Sequence, residues 1–427
     1  MNHHFYLGID RSDQTIDFTL LDSNHSIIEQ GKSSTQPEEL KLWLEKIKTR
    51  LLDQQTIATC IEQPCQNLSH FFRQFEFLTL YLVNPSIIKS FRESLSASRA
   101  KDDKRDAHTL ATFILERHHR LEPWKPLDGD TQRLNTLSEK RRQLVEIRKS
   151  ITNKLNQALK DTYPQSLNLI GRDLHSKLAC DFLLKWPTQL LQKARLTTIS
   201  NFYYLHNSRY PKTIEKRLQL ISEAIPLCVD PVILETNAEL IKALARQLQT
   251  LTASIQHFDK LVAQATAQHK ESPIFASLPG AGPVYTSRLT AFFGSDRNTF
   301  AKASEVQRLS GVAPITKQSG KMHFVHRRYA CNKFWRQTFV EWAGHTVMKS
   351  LWAKAYYEQQ KQLGHRHQSI LRSLAYKWQH ILFRLWKSSI TYSEKHYLQA
   401  LEKSGSPLLK AIETLKKTQP KFCEQFS

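Results

Sequence analysis

Carboxylates are scarce in this chain, and the place where they gather invites a chemical reading. The run Lys101-Asp102-Asp103-Lys104-Arg105-Asp106-Ala107 sets three of them among three cations. On a helix, Asp103 and Asp106 stand three residues apart and share a face, whereas Asp102 points elsewhere. Carboxylates bind hard divalent cations and Lys and Arg neutralise phosphates, so the mixture suits a point where phosphate meets metal. The same run also reads as a solvated, charge-mixed helix start. Two further carboxylates sit at the ends of apolar segments: Asp10 after residues 5–9 and Glu62 after residues 56–61. Taken singly, an acid at a strand end is an ordinary turn residue.

The bulk composition narrows the partners. A chain of 427 residues is long enough for two or three domains, each with its own core. Its 61 Lys and Arg against 39 Asp and Glu leave a formal charge of +22, which favours a polyanion: nucleic acid first, an anionic membrane second. No apolar run approaches the roughly 20 residues that span a bilayer, and the N-terminus lacks a signal-peptide pattern. The six cysteines form no Cys-x-x-Cys pair, so neither a zinc site nor a disulfide framework is indicated, and a reduced, cytoplasmic protein is expected.

Residues 5–10, 15–21 and 27–29 read as a three-strand meander, followed by a helix with Pro37 in its first turn. Strands at 56–61 and 78–83 alternate with helices opening at Gln63-Pro64 and Asn84-Pro85. Composition and spacing alone support an α/β domain; the order βββαβαβα, with its later strands parallel, resembles the ribonuclease H fold. In that arrangement Asp10, Glu62, Asp103 and Asp106 converge at one end of the sheet. Four carboxylates there need neutralising, and the expected occupants are two Mg²⁺ ions, which in phosphoryl transfer stabilise both the entering and the leaving oxygen.

From Thr131 the apolar period turns helical, with Leu137, Leu144, Ile151 and Ala158 recurring among basic residues in the manner of a coiled-coil arm, and a second such helix follows near residues 240–262. Residues 164–231 look helical but irregular. The segment Pro279-Gly280-Ala281-Gly282 has the form of a helix-hairpin-helix turn, whose Gly280 and Gly282 would let backbone amides approach phosphate; it equally fits a loop between core helices. Between residues 321 and 349, basic side chains alternate with Phe324, Tyr329, Phe334, Trp335 and Trp342, which suits base stacking or a core. Residues 369–386 form another amphipathic helix rich in Trp and Arg, and beyond Gly405 the chain turns polar and frayed ends are expected.

Together, Gly8-Ile9-Asp10, Glu62, Asn84-Pro85, the run from Lys101 to Ala107, Pro279 to Gly282, Gly311-Val312-Ala313-Pro314 and Ser319-Gly320 resemble the DEDD transposases of insertion-sequence family 110 and its 1111 branch, kin to the Piv invertase. The resemblance implies a RuvC-like DEDD domain over residues 1–125, a helical coiled-coil linker over 126–270, a mainly helical transposase domain with a catalytic serine over 271–400 and a polar tail over 401–427. It assigns the carboxylates to Asp10, Glu62, Asp103 and Asp106, aligns Asp102 with a threonine of the family pattern Lys-Thr-Asp-x-x-Asp-Ala, and makes Ser319 the nucleophile. Where the family commonly has Gly-Asn-x-x-Leu-Arg, this chain reads Cys331-Asn332-Lys333-Phe334-Trp335-Arg336, so Cys replaces Gly and Trp replaces Leu. Loss of that glycine puts the local backbone and its phosphate contacts in question.

The implied function is a DNA recombinase of a bacterial mobile element, acting on double-stranded element ends and target, guided by a structured noncoding RNA and assembled as a homodimer or tetramer. Candidate nucleic-acid contacts are Lys101, Lys104, Arg105, Gly280, Gly282, Lys321, Arg327, Arg328, Asn332 and Arg336. The runner-up is a RuvC-like, metal-dependent, structure-specific nuclease that activates water and leaves Ser319 structural. A non-enzymatic nucleic-acid-binding protein comes third. A sugar-kinase-like ATPase comes last, because its later phosphate and adenosine loops have no counterpart.

Overall fold

The computed structural model describes residues 3–52, 55–63, 66–95, 103–188, 191, 193–320 and 322–426. The chain divides into two compact units, Met1–Leu127 and Asp128–Ser427. The first contains β1 (Phe5–Arg11), β2 (Thr15–Asp22), β3 (Ile27–Ser34), α1 (Pro37–Lys48), β4 (Ile57–Glu62), α2 (Gln66–Phe72), β5 (Leu78–Val83), α3 (Pro85–Leu95) and α4 (Asp103–Arg117). The sheet runs β3-β2-β1-β4-β5, antiparallel from β1 to β3 and parallel across β1, β4 and β5, as the element order predicts. Strand β3 extends to Ser34 rather than ending at Glu29. Its outer half, Gln-Gly-Lys-Ser-Ser, has no apolar alternation to reveal it, and backbone pairing to β2 carries it.

Alternation along the strands feeds two cores. Leu7, Ile9, Phe18, Leu20 and Ile61 pack with Leu40, Trp43 and Leu44 of α1 on one face. Tyr6, Leu21, Cys60 and Tyr81 pack with Leu110 and Ile114 of α4 on the other. At Gly8 the second face comes closest to its helix: a β-carbon there would overlap the carbonyl oxygen of Ala107 and the amide of Ala111. Helix α4 continues from that point toward the start of β1, where the His118 ring lies 5.4 Å from Tyr6, so its N-terminus lies at the end of the strand that bears Asp10.

Across the start of β1, His3 is buried, with Nε2 at 3.1 Å from the Tyr81 hydroxyl and Nδ1 at 3.1 Å from that of Thr56. Burial, with His118 nearby, lowers its pKa to about 4.

The second unit starts with α5 (Gly129–Thr162), which pairs antiparallel with α10 (Pro231–Gln268): Thr131 meets His269 at 2.8 Å, Arg141 meets Asp259, and the Asn237 amide donates to the Ala158 carbonyl at 2.9 Å. Between them α6 (Ser166–Ile170), α7 (Lys177–Lys185), α8 (Leu196–Leu205) and α9 (Pro211–Glu223) form a separate core around Phe182, Phe202 and Tyr203 with the far ends of the pair. The irregular stretch is thus a helical cap. Asp230 ends it, accepting from the amides of Val232 and Ile233 while Pro231 occupies the first turn of α10.

The other core is built by α11 (Ser272–Ala276), α12 (Gly282–Phe293), α13 (Ala303–Leu309), α14 (Lys333–Thr346), α15 (Leu351–Gln362) and α16 (His367–Ser388), with a hairpin of β6 (Ile315–Ser319) and β7 (Met322–His326) between α13 and α14. Trp342, Trp352, Trp378 and Trp386 are fully buried, and each indole N–H is satisfied: by the Pro279 carbonyl, the Tyr392 hydroxyl, the Thr346 hydroxyl and the Gly294 carbonyl respectively. After α17 (Glu394–Lys403), the polar tail differs from the frayed end that its composition suggests. Helix α18 (Leu408–Thr418) returns Ile412 and Leu415 to this core. Among the described residues, no helix is long and apolar enough to cross a membrane.

Substituting Gly8→Ala should push α4 off β1 and lower stability by about 1–3 kcal/mol in denaturant titrations. His3 is neutral when folded, and the unfolded chain takes up its proton between pH 6.5 and about 4. Its contribution is therefore complete above pH 6.5 and is lost as pH falls through that window. The thermal midpoint should drop on acidification across this range, and less steeply in His3→Gln.

Candidate active site

Register, more than sequence distance, assembles the carboxylates. Asp10 pairs with Asp17 across β1 and β2, and Asp17 pairs with Lys32 on β3. Glu62 stands beside Asp10 one step beyond the paired Ile9 and Ile61, and opposite Val83 on β5. Residues paired in this way point to the same face, so Lys32, Asp17, Asp10 and Glu62 form a row across four strands, on the face that α4 covers. Asp10 and Glu62 are half-buried at their strand ends.

Asp106, one residue before the Gly8 contact, is only 9% exposed, and its Oδ1 accepts from Arg92 Nη1 at 2.7 Å. Asp103 opens the helix. The side chains of Asp103 and Lys104 lie outside the described atoms, as do Lys101 and Asp102 altogether; Arg105 is exposed.

Sequence reasoning missed Asp17 and Arg92. Asp17 is 3% exposed, 3.2 Å from Lys32 Nζ through one oxygen, while its other oxygen, Oδ1, has no hydrogen-bond partner. An acid at an inward position of an otherwise apolar strand was the available signal. In kind, this donor set fits a hard divalent cation, since every candidate ligand atom is a carboxylate oxygen. As placed, no three His, Cys, Asp or Glu side chains among the described residues stand close enough together to chelate an ion.

Ser319 lies in the second unit, at the exposed end of β6, where it pairs with Met322 of β7. Gly320 takes φ +56° there, and Lys321 lies outside the described residues. The pairing puts Ser319 at the far end of a hairpin, where the sequence offered only a Ser-Gly turn.

Residues 7–164 match the model of the IS110 DEDD transposases, described as a transposase, and residues 272–358 match that of the transposase IS116/IS110/IS902 family. The chain belongs to the IS110 family of DEDD transposases. A relative named as the proposed mini-circle transposase for IS117 of Streptomyces coelicolor is 29% identical over 302 residues, 69% of this chain and 72% of the relative. An uncharacterised 42 kDa protein of insertion element IS900 from Mycobacterium paratuberculosis is 22% identical over 157 residues, covering 36% of this chain and 39% of that one. An uncharacterised 44.8 kDa protein of IS116 from Streptomyces clavuligerus is 28% identical over 138 residues, 32% and 34% of the two chains.

The departure from the family pattern has a local explanation. Gly311, at φ +72°, lies against Cys331, and a β-carbon on Gly311 would overlap that side chain. Arg336 Nη1 donates to the Arg328 carbonyl at 2.7 Å and reaches Cys331 Sγ at 3.1 Å. The larger residue at 331 is thus accommodated by the glycine at 311. Trp335 packs edge-on against Phe292 at 5.2 Å in the core.

Other candidate contacts divide. Asn332 caps α14, its Oδ1 accepting from the amides of Phe334 and Trp335 at 2.9 and 3.3 Å. Gly280 faces the backbone of His345, 3.1 Å from where its β-carbon would lie, so its small size serves packing. Gly282 is exposed at the start of α12 with open space beside it. Arg327 is exposed, while Arg328 Nε donates to the Ala313 carbonyl at 3.2 Å. Of the aromatics, Phe334, Trp335 and Trp342 are core, whereas Phe324 and Tyr329 are exposed.

The Gly311–Cys331 contact can be tested by a double-mutant cycle. Gly311→Ala should cost about 2 kcal/mol or more from overlap and positive φ. Adding Cys331→Gly should recover the overlap part and leave about 1 kcal/mol of backbone strain, read from denaturant midpoints. Purely additive losses would show that the two residues do not touch.

Proposed function

We propose that this transposase cuts and rejoins DNA at the ends of a bacterial insertion sequence and at its target, through Ser319 acting with the carboxylates of a RuvC-like domain. The observation that carries the reading is the close approach of α4 to Gly8, which supports placing the Asp-x-x-Asp pair at the end of the sheet that bears Asp10 and Glu62. Asp10, Glu62, Asp103 and Asp106 would hold divalent cations, Mg²⁺ by donor type and two by charge. When bound, these neutralise charge on the phosphate oxygens.

The chain's own residues do the rest. Ser319 Oγ attacks the scissile phosphorus and gives up its proton to water, a P–Oγ ester forms, the bond from phosphorus to the leaving sugar oxygen breaks, and that oxygen takes up a proton from water in turn. Arg92, by pairing with Asp106, fixes the orientation of one carboxylate, and Lys32 offsets the charge of Asp17 beside Asp10. Exposure of Ser319 at a hairpin tip supports its meeting a large substrate. The carboxylates and the serine belong to different units of the chain, which supports completion of the site in trans within a dimer or tetramer. A structured noncoding RNA guides target choice, the work takes place in the cytoplasm, and Arg105, Gly282, Arg327 and Arg336 are contacts to nucleic acid.

Incubation with Mg²⁺ and element-end DNA should accumulate a covalent protein–DNA adduct that Ser319→Ala abolishes. Asp10→Asn or Asp106→Asn should lower its rate by at least roughly a hundredfold. Undiminished strand cleavage by Ser319→Ala would instead assign the reaction to water and a nuclease. Deleting the noncoding stretch beside the gene should abolish recombination in cells, and full activity without it would remove the RNA guide from the scheme.

A further inference from the structure

Helix α16 has two faces of unlike chemistry. Leu374, Trp378, Leu382 and Trp386 are buried, while Arg372, Tyr376, Lys377, His380 and Arg384 turn away from the core. With the foot of the β6–β7 hairpin, this second face lines a cleft of 620 Å³. Arg327, Arg328, Arg372 and Lys377 line it together with His326 and His380, and no Asp or Glu is among its described lining residues. None of these four cations forms an ion pair with a described carboxylate. Burial, and then the neighbouring Arg327 and Arg336, hold the Arg372 guanidinium below the usual arginine range.

Aromatic rings are interleaved with the cations. Lys377 Nζ stands 5.0 Å from the centroid of Tyr356, and Tyr376, 38% exposed, lies 5.6 Å from the His380 ring. A second cleft of 680 Å³ shares Tyr356, Lys377 and His380 and continues along the helix to Arg384.

We propose that this cleft grips a single nucleic-acid strand, its phosphates against Arg327, Arg372 and Lys377 and its bases against Tyr376 and Tyr356. Uncompensated cations require an anion, and their spread along a helix fits a chain of phosphates better than one. The exposed ring of Tyr376, with the half-buried Tyr356 beside it, offers stacking faces to bases, the combination that holds single strands. Twelve residues of helix separate Arg372 from Arg384, ~18 Å at 1.5 Å per residue, enough for about five phosphates at duplex spacing. The cations line a concavity, a shape that suits one strand better than the convex backbone of a duplex. Val325 and His326 at the cleft pair near Ile315, so Ser319 lies four residues up the hairpin, ~14 Å away. The cleft therefore anchors a strand at a distance from the bond that is cut. The assignment rests on the proposed function only in taking nucleic acid as the polyanion.

The test is binding to the full chain carrying Ser319→Ala, in which no strand is cut, so failure of the cleavage reading leaves it intact. Labelled oligo(dT) and oligo(U) of roughly 15 nucleotides would be titrated by anisotropy from about 50 to 200 mM salt. Arg372→Ala with Lys377→Ala should weaken binding at least about tenfold and reduce the salt slope by about 1.4, two phosphate contacts' worth. Tyr376→Ala should weaken it roughly tenfold with the slope unchanged. Removing two charges elsewhere, at Lys41 and Lys48 on α1, should change neither. Tighter binding of oligo(dT) assigns the cleft to DNA, and of oligo(U) to RNA. An equal loss for both lysine-containing pairs, or an unchanged slope in the cleft pair, overturns the proposal. An iodouracil-bearing strand should photocrosslink to Tyr376 or Tyr356 in the otherwise unmutated chain; crosslinks confined to other segments overturn it independently of any variant's folding.

Discussion

The backbone of α4 rests on the backbone of β1 at Gly8 with no side chain between them, and the carboxylate arrangement depends on that contact. Helices normally stand about 10 Å from a sheet because two layers of side chains intervene. Removing one layer brings Ala107 down onto the strand and fixes how far along β1 the helix can slide. Since Asp106 and Asp103 precede Ala107 by one residue and one turn, their height above the sheet is set by the same contact. The register of β1, β2 and β4 sets the other half of the row.

Much of the N-terminal unit was legible because strands and helices there announce themselves by period and by Pro and Gly at their ends. Element order then determined which ends meet. What stayed hidden was hidden for physical reasons. The acid at Asp17 is invisible to a motif search and is revealed by the strand that pairs it with Asp10. Arg92 comes from α3, a helix read for its packing. The hairpin that carries Ser319 has exposed residues on both faces, so neither of its strands shows the alternation that a buried face imposes. The mixed aromatic and basic stretch looked ambiguous and proved to be two things: a core helix whose Phe334, Trp335 and Trp342 face inward, and the second hairpin strand with the loop after it, whose Phe324 and Tyr329 do not.

The charge of +22 is unevenly organised. On the sheet, acids are grouped and two described cations engage them, Lys32 with Asp17 and Arg92 with Asp106. On α16, cations are grouped and no described acid answers them. The opposite face of α16 is anchored by Trp378 and Trp386, buried with their N–H groups satisfied, so the helix that carries these charges is held firmly. Stability on one face of α16 thus supports electrostatic tension on the other.

The antiparallel pairing of α5 and α10 has a topological consequence. The chain leaves the C-terminal core at Thr131 and returns beside the same point at His269, where the two side chains meet. Everything between is a closed excursion, and neither family model spans it whole, since one ends at residue 164 and the other begins at 272. A detour that comes back to its starting point imposes no condition on the route taken. Its far end can therefore lengthen, shorten or exchange its cap while both anchoring points stay where they are.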